Sequence, residues 1–511
     1  MSRSERLLGL LEETSDWLNP IVVKEVRQVV RGREFIYSFG ASLVAGLAIA
    51  FFGAADALTG AGTSGGWTFG ALMGCLAALG LVVVPLGAFN ALRVERIEQT
   101  LELITLTALT PRRVVIGKLL VQGVKLVTLF GAMAPFVAMS FLLGGIDFAT
   151  ILVALAALFM WSLWMSSAGL FLSSLARSRA MAALAFGGGA ILLLLLLIVF
   201  GRMLLLLATR GAFIGGAVFG VGLIGAQPWL LAIMATSCLV TMVNLVLLSE
   251  NRLALPVESK VTPLRVGFLV QFLLIVGWNL TFINEPAAAR GDAIEVLGVI
   301  GGLHLAVVAM FTVTEDLAVP RRVLPRPATA SRWNLLLTVF RPGGGRGALY
   351  VLAQMALLLA AARLLQPEPM QVRWLLAICG YICFFSGVPT LAIRLLKPPG
   401  ATFRLRVALL LLLALAMITP DIVHYVAWQP DVLDLRFSAR HLINPIRALS
   451  NWRLVETRQW LSLPFTLGLV GLVAYSALIR LGLGMSAEVA PTDPQASTAE
   501  AGETGSANVL Y

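Results

Sequence analysis

The stretch ERIEQTLELITLTALTPRR, Glu95 to Arg113, is a charged interruption between two long apolar segments. At 100° per residue, Glu95, Glu98 and Glu102 fall within an arc of about 60°, while Ile97, Leu101, Ile104 and Ala108 take the opposite side. The spacing predicts an amphipathic helix over 93–110, with one face suited to lipid or protein and the other to water. Thr110 then offers a helix-capping hydroxyl and Pro111 suits a first helical position, so a new helix is expected to start there and run into the next apolar segment.

What surrounds this stretch is almost entirely apolar. Of 511 residues, 59% are hydrophobic and 13% charged, and the mean hydropathy is +0.89. A soluble domain carries about 25% charged residues. The composition predicts an all-α, polytopic transmembrane bundle. The net charge of +11 would raise the question of nucleic acid in a soluble protein; here it reads as loop charge that sets membrane orientation, and no nucleic-acid partner is expected.

Apolar runs of about 20 residues occur near 35–55, 68–92, 112–143, 148–175, 180–200 and 228–249, and again near 264–283, 293–313, 348–365, 372–393, 405–428 and 460–481. The expectation is therefore about twelve spans, six in each half. The glycine-rich segment 201–226, flanked by Arg202 and Arg210, reads as re-entrant or surface-lying. The chain divides into an interfacial segment 1–34, a six-span domain 35–250, a second multi-span domain 251–481, and a tail 482–511 whose Pro, Ser, Thr, Glu and Gly predict disorder. The first 34 residues are too charged for a signal peptide. The amino terminus is accordingly expected in the cytoplasm, and basic residues then gather in the inner loops. The loop 429–459 is the exception, predicted outside yet holding Arg436, Arg440, Arg447, Arg453 and Arg458.

Before the first span, Pro20 can open a helix whose valines, 22, 23, 26, 29 and 30, cover one face and whose Lys24, Arg27, Gln28 and Arg31 cover the other. Such a helix lies in the interface plane, its basic side toward anionic headgroups, either as a simple anchor or as a cradle for a cytoplasmic partner. On the third span, Lys118, Gln122 and Lys125 follow at i, i+4 and i+7, one helical face. Either this polar stripe lines a translocation vestibule or the helix begins well below the membrane. Pro85 and Pro135 fall inside spans and can kink them. The four cysteines, Cys75, Cys238, Cys379 and Cys383, lie in apolar segments and read as small packing residues, with no metal site expected. His304 reads as a packing histidine, and Asp421 with His424 as a lone pair without a catalytic set.

The glycine clusters GAGTSGGW and RPGGGRGALY lack the lysine and hydroxyl that a nucleotide phosphate and magnesium require. The chain is expected to be no enzyme and to hold no cofactor of its own.

The sequence NPIVVKEVRQVVRGREF before the first span, with ERIEQTLELITLTALTPRRVVIGK after the second, resembles the permease subunits of type-2 ABC exporters over roughly residues 15–250. The family pattern maps onto Glu95, Glu98, Thr100, Leu101 to Leu103, Thr110 with Pro111, and Gly117 with Lys118; Gln99 stands where the family commonly has Gly. The resemblance implies that the Glu-rich helix is a coupling helix seated on a cytoplasmic ABC ATPase, which binds ATP and magnesium. It implies an inner-membrane exporter working as a homodimer or beside a second permease, since the second half carries no copy of the Glu-rich pattern. Two other readings stand beside it. One is a non-transporting homologue serving as a membrane scaffold. The other is a twelve-span secondary transporter, which would carry internal repeats; the sequence displays none.

Overall fold

The computed structural model describes residues 20–58, 64–97, 110–144, 148–175, 187, 229–253, 261–316, 338–396, 405–406, 408–409, 411–413, 415–420, 439–457 and 460–488. Among them there is no strand. Among the described residues nine helices are long and apolar enough to cross a membrane: Arg33–Leu58, Gly65–Arg93, Pro111–Leu142, Ile151–Leu175, Val261–Asn284, Ala287–Thr312, Gly344–Leu364, Pro369–Leu396 and Ser462–Gly482. The chain is a multi-pass helical membrane protein. Lipid leaves a spanning segment no water for its peptide groups, so the helix is the natural solution for each run. Of the three remaining expected spans, 228–249 corresponds to the helix Trp229–Leu253, 180–200 lies outside the described residues except at 187, as does all of the segment 201–226, and 405–428 is described only in part, as a short apolar helix Leu411–Pro420.

Two compact units divide the chain, Met1–Leu255 and Pro256–Tyr511. The first opens with the amphipathic helix α1 (Pro20–Val30) and the long helix α2 (Arg33–Leu58). Next come α3 (Ser64–Ala78), a π-helical turn at Leu79–Val83 and α4 (Val84–Ile97), which run on as one rod; α5 (Pro111–Leu142), α6 (Phe148–Leu175) and α7 (Trp229–Leu253) complete the unit. The π turn has a local cause. Pro85 has no N–H to give and its ring crowds the preceding turn, and the wider turn is closed by the Val84 N–H donating to Leu79 O. Gly80 in that turn lies where a Cβ would stand 2.5 Å from Ser162 Oγ, so α6 packs directly against the backbone. The core of this unit gathers Phe69, Leu72, Met73 and Leu76 from α3 with Met133 and Val137 from α5 and Ala154 and Leu158 from α6.

The second unit is built from α8 (Val261–Leu280), α9 (Ala287–Thr312), α10 (Gly344–Leu364), α11 (Pro369–Leu396), the short α12 (Pro445–Ser450) and α13 (Trp452–Thr457), and α14 (Ser462–Glu488). The basic segment expected as an outer loop is folded where it is described. Asn444 caps α12 by accepting from the N–H groups of Ile446 and Arg447, and its own amide donates to Met417 O at 2.9 Å. Trp374 donates to Leu449 O at 3.1 Å, Tyr381 donates to Leu442 O, and Arg373 pairs with Glu456, all three reaching out from the N-terminal half of α11.

The tightest packing is between α11 and α14. A Cβ on either Gly380 or Gly468 would stand 3.0 Å from the other's Cα, and one on Gly471 would stand 2.4 Å from Phe384 N. With no hydrophobic drive between helices in lipid, close backbone approach at small residues is what holds such a pair. Gly471→Ala is therefore expected to cost about 1–3 kcal/mol through forced separation of the helices. Gly131→Ala meets nothing within 4 Å and is expected to be neutral or to gain up to about 1 kcal/mol in helix propensity. Thermal unfolding of both variants in the same detergent checks the contrast, and equal melting temperatures would refute it.

Candidate functional site

Of the Glu-rich stretch, Glu95 lies near the end of α4, so the second long helix runs unbroken into the charged region. Glu98, Thr100 and Glu102 lie outside the described residues. Pro111 occupies the first helical position of α5, as its fixed φ favours. Thr110 is the N-cap residue, with φ −72° and ψ 146°, but its hydroxyl makes no capping hydrogen bond. The capping bond expected from the sequence is not made; the Thr110 carbonyl takes the first bonds of the helix, from the N–H groups of Arg113 and Val114 at 2.9 and 3.3 Å.

The polar stripe is where α5 meets α1 and α4. Lys118 and Gln122 are each 1% exposed, and Lys125 is half-buried. Lys118 Nζ donates to Glu25 Oε1 at 2.8 Å and to Ala91 O at 3.2 Å. One ammonium thereby joins the amphipathic helix, the end of the second long helix and the start of the third. Gly87 of α4 faces the next turns; a Cβ there would stand 3.3 Å from Lys125 Nζ and 4.0 Å from Gln122 Oε1. Among the described residues Gln122 Oε1 is buried without a hydrogen-bond partner. At 32 residues, α5 is about 48 Å long, against a hydrocarbon layer of about 30 Å, so some of its length lies outside that layer. Arg27 on α1 and Arg31 just past its end are exposed and Val22 is buried, as amphipathicity predicts, while Lys24 is placed only by its backbone. The residue that sequence reasoning passed over is Glu25, a lone acid among basic neighbours whose partner lies 93 positions away.

A second buried cluster closes the corresponding corner of the second unit. Arg265, fully buried near the start of α8, donates through Nη1 to Val339 O at 2.6 Å and Arg341 O at 2.7 Å. Its Nη2 donates to Glu315 Oε2 at 2.6 Å and to Gly343 O at 3.2 Å. The Gly343 N–H donates to the same Glu315 oxygen at 2.9 Å. Burial pushes the Glu315 carboxyl up from its ordinary range, and the Arg265 guanidinium and the Gly343 N–H pull it back down. Arg394 reaches Asp316 Oδ1 at 3.0 Å and the carbonyls of Thr314 and Glu315, and Arg406 donates to Thr314 Oγ1 at 2.8 Å. Cations at the trailing carbonyls of α9 suit the negative end of its dipole. The RPGGGRG segment, noted for what it lacks, has a packing role. Gly343 adopts φ 125°, and a Cβ on Gly347 would stand 2.0 Å from Thr312 O.

The other singled-out groups are built into packing where they are described. His304, 7% exposed, stacks on Phe272 at 5.7 Å and meets the edge of Phe268 at 6.1 Å. Cys383 lies 3.7 Å from Met355 Sδ. Asp421 and His424 lie outside the described residues. Among the described residues no three His, Cys, Asp or Glu side chains are grouped to hold a metal ion. Comparison with family models, curated proteins and solved structures returned no match to this chain.

Proposed function

We propose that this chain is the membrane permease of an ATP-driven exporter in the inner membrane, with about twelve spans and a cytoplasmic amino terminus, moved by a separate nucleotide-binding subunit that carries ATP and magnesium. The observation that carries the reading is the junction at Lys118. The third helix starts at Pro111, directly after the Glu-rich stretch, and within two turns it is bound by one ammonium to α1 and α4. On the coupling-helix reading, a displacement of residues 98–109 pulls on a corner in which three helices are already tied. Glu95, Glu98 and Glu102, which the sequence spacing assigns to one face, offer charge contacts to a partner with a basic rim. Lys125, half-buried on the same face of α5, is the residue of the stripe that offers polar surface to a path for substrate.

The test is charge reversal at the proposed input. Glu98→Arg together with Glu102→Arg is expected to abolish co-purification of the ATPase, or to leave it bound with its ATP hydrolysis no longer stimulated by the permease. Wild-type binding and wild-type stimulated hydrolysis in reconstituted vesicles would remove the coupling assignment.

A further inference from the structure

The two units pair their helices in the same way, although no sequence motif repeats. In the first unit let the long helices be taken in order: α2, the α3–α4 rod, α5, α6 and α7. The first packs on the second and third, the second on the third and fourth, the third on the fourth and last, and the fourth on the last. In the second unit the order is α8, α9, α10, α11 and α14, and the pairings are the same set. Among the described residues, in neither unit does the first helix pack substantially on the fourth or the last, nor the second on the last.

The connections agree too. The link between first and second helices is short in both, 59–63 and 281–286; that between second and third is long, 98–110 and 313–343; that between third and fourth is short again, 143–147 and 365–368. Each unit also closes the same corner with a buried ion pair. In the first, Lys118 near the start of the third helix joins Glu25, just ahead of the first helix, to Ala91 near the end of the second. In the second, Arg265 near the start of the first helix joins Glu315, just past the end of the second, to Gly343 at the start of the third.

From this we infer that the second unit is a copy of the permease arrangement of the first, so that one chain supplies both membrane halves of the transporter and works as a single copy with two ATPase subunits. The ATPase count rests on the exporter reading above; the copy number of the chain does not. The absence of a second Glu-rich motif, which taken alone points to two identical chains, then means that the two halves present different surfaces to their ATPases.

The experiment is subunit counting in lipid particles cut directly from membranes with a maleic-acid copolymer. Two differently tagged copies of the full chain are co-expressed, captured by one tag and probed for the other. Particle protein mass is then read by native mass spectrometry. Background levels of the second tag, and a permease mass of one 54.6 kDa chain with two ATPases, are expected. Recovery of the second tag, or a mass of two chains, overturns the inference even if ATPases are present. A single chain without any ATPase supports the paired halves and removes the exporter reading in favour of a carrier that alternates two repeats.

Discussion

Arg265→Met is expected to lower the stability of the protein by on the order of 3–5 kcal/mol, because it strands a carboxylate that the fold has taken out of water. Glu315 is 13% exposed and Arg265 fully buried, and the same guanidinium also satisfies the carbonyls of Val339, Arg341 and Gly343. At 2–4 °C per kcal/mol for a unit of this length, the melting temperature should fall by roughly 10 °C. Lysine is no substitute, since a point charge cannot serve acceptors on several sides as a planar guanidinium does. The double variant Arg265→Met, Glu315→Gln should be more stable than Arg265→Met alone, since it removes the stranded charge. A thermal series in one detergent settles both signs; a double variant less stable than the single would show that the ion pair is not what holds this corner.

The second large effect carries an asymmetry. Lys118 is 1% exposed and Glu25 17%, so removing the acid leaves an ammonium deep among helices, whereas removing the lysine leaves a carboxylate near the rim. Glu25→Leu is expected to cost about 3 kcal/mol and Lys118→Met about 1 kcal/mol, with the double variant again recovering part of the larger loss. Because the pair binds α1 to α5, Glu25→Leu should also speed proteolytic cleavage within α1, which Lys118→Met should do less. Equal melting temperatures and equal cleavage rates for the two single variants would contradict this account of the junction.

How much of this was legible in the sequence differs by element, for physical reasons. Long apolar helices announce themselves because lipid forces every peptide group to be satisfied within its own segment, and the nine long helices follow the hydropathy runs. The start of α5 was legible because proline at a first helical position is a local rule; the missing Thr110 cap was not, because a hydroxyl's choice of partner depends on its surroundings. Glu25 and Glu315 were not legible as partners. Each finds its cation only after helices far apart in sequence dock, 93 positions away in one case and 50 in the other. The repeated pairing of helices left no motif, because adjacency in lipid is set by where small residues allow approach, as at Gly380 and Gly468, and such positions can move along a helix while the neighbours stay the same.

The π turn at Leu79–Val83 has a mechanical meaning. It holds one more residue than an α turn would, in the middle of a rod whose far end carries Glu95. Retightening that turn is equivalent to withdrawing one residue from the rod, which rotates everything beyond it by about 100° and shortens it by about 1.5 Å. The second long helix therefore has a built-in angular slack, pinned by Ser162 at Gly80 on one side and by the Lys118 tether at Ala91 on the other. Under the proposed coupling, a push on the charged end would meet torsion before translation.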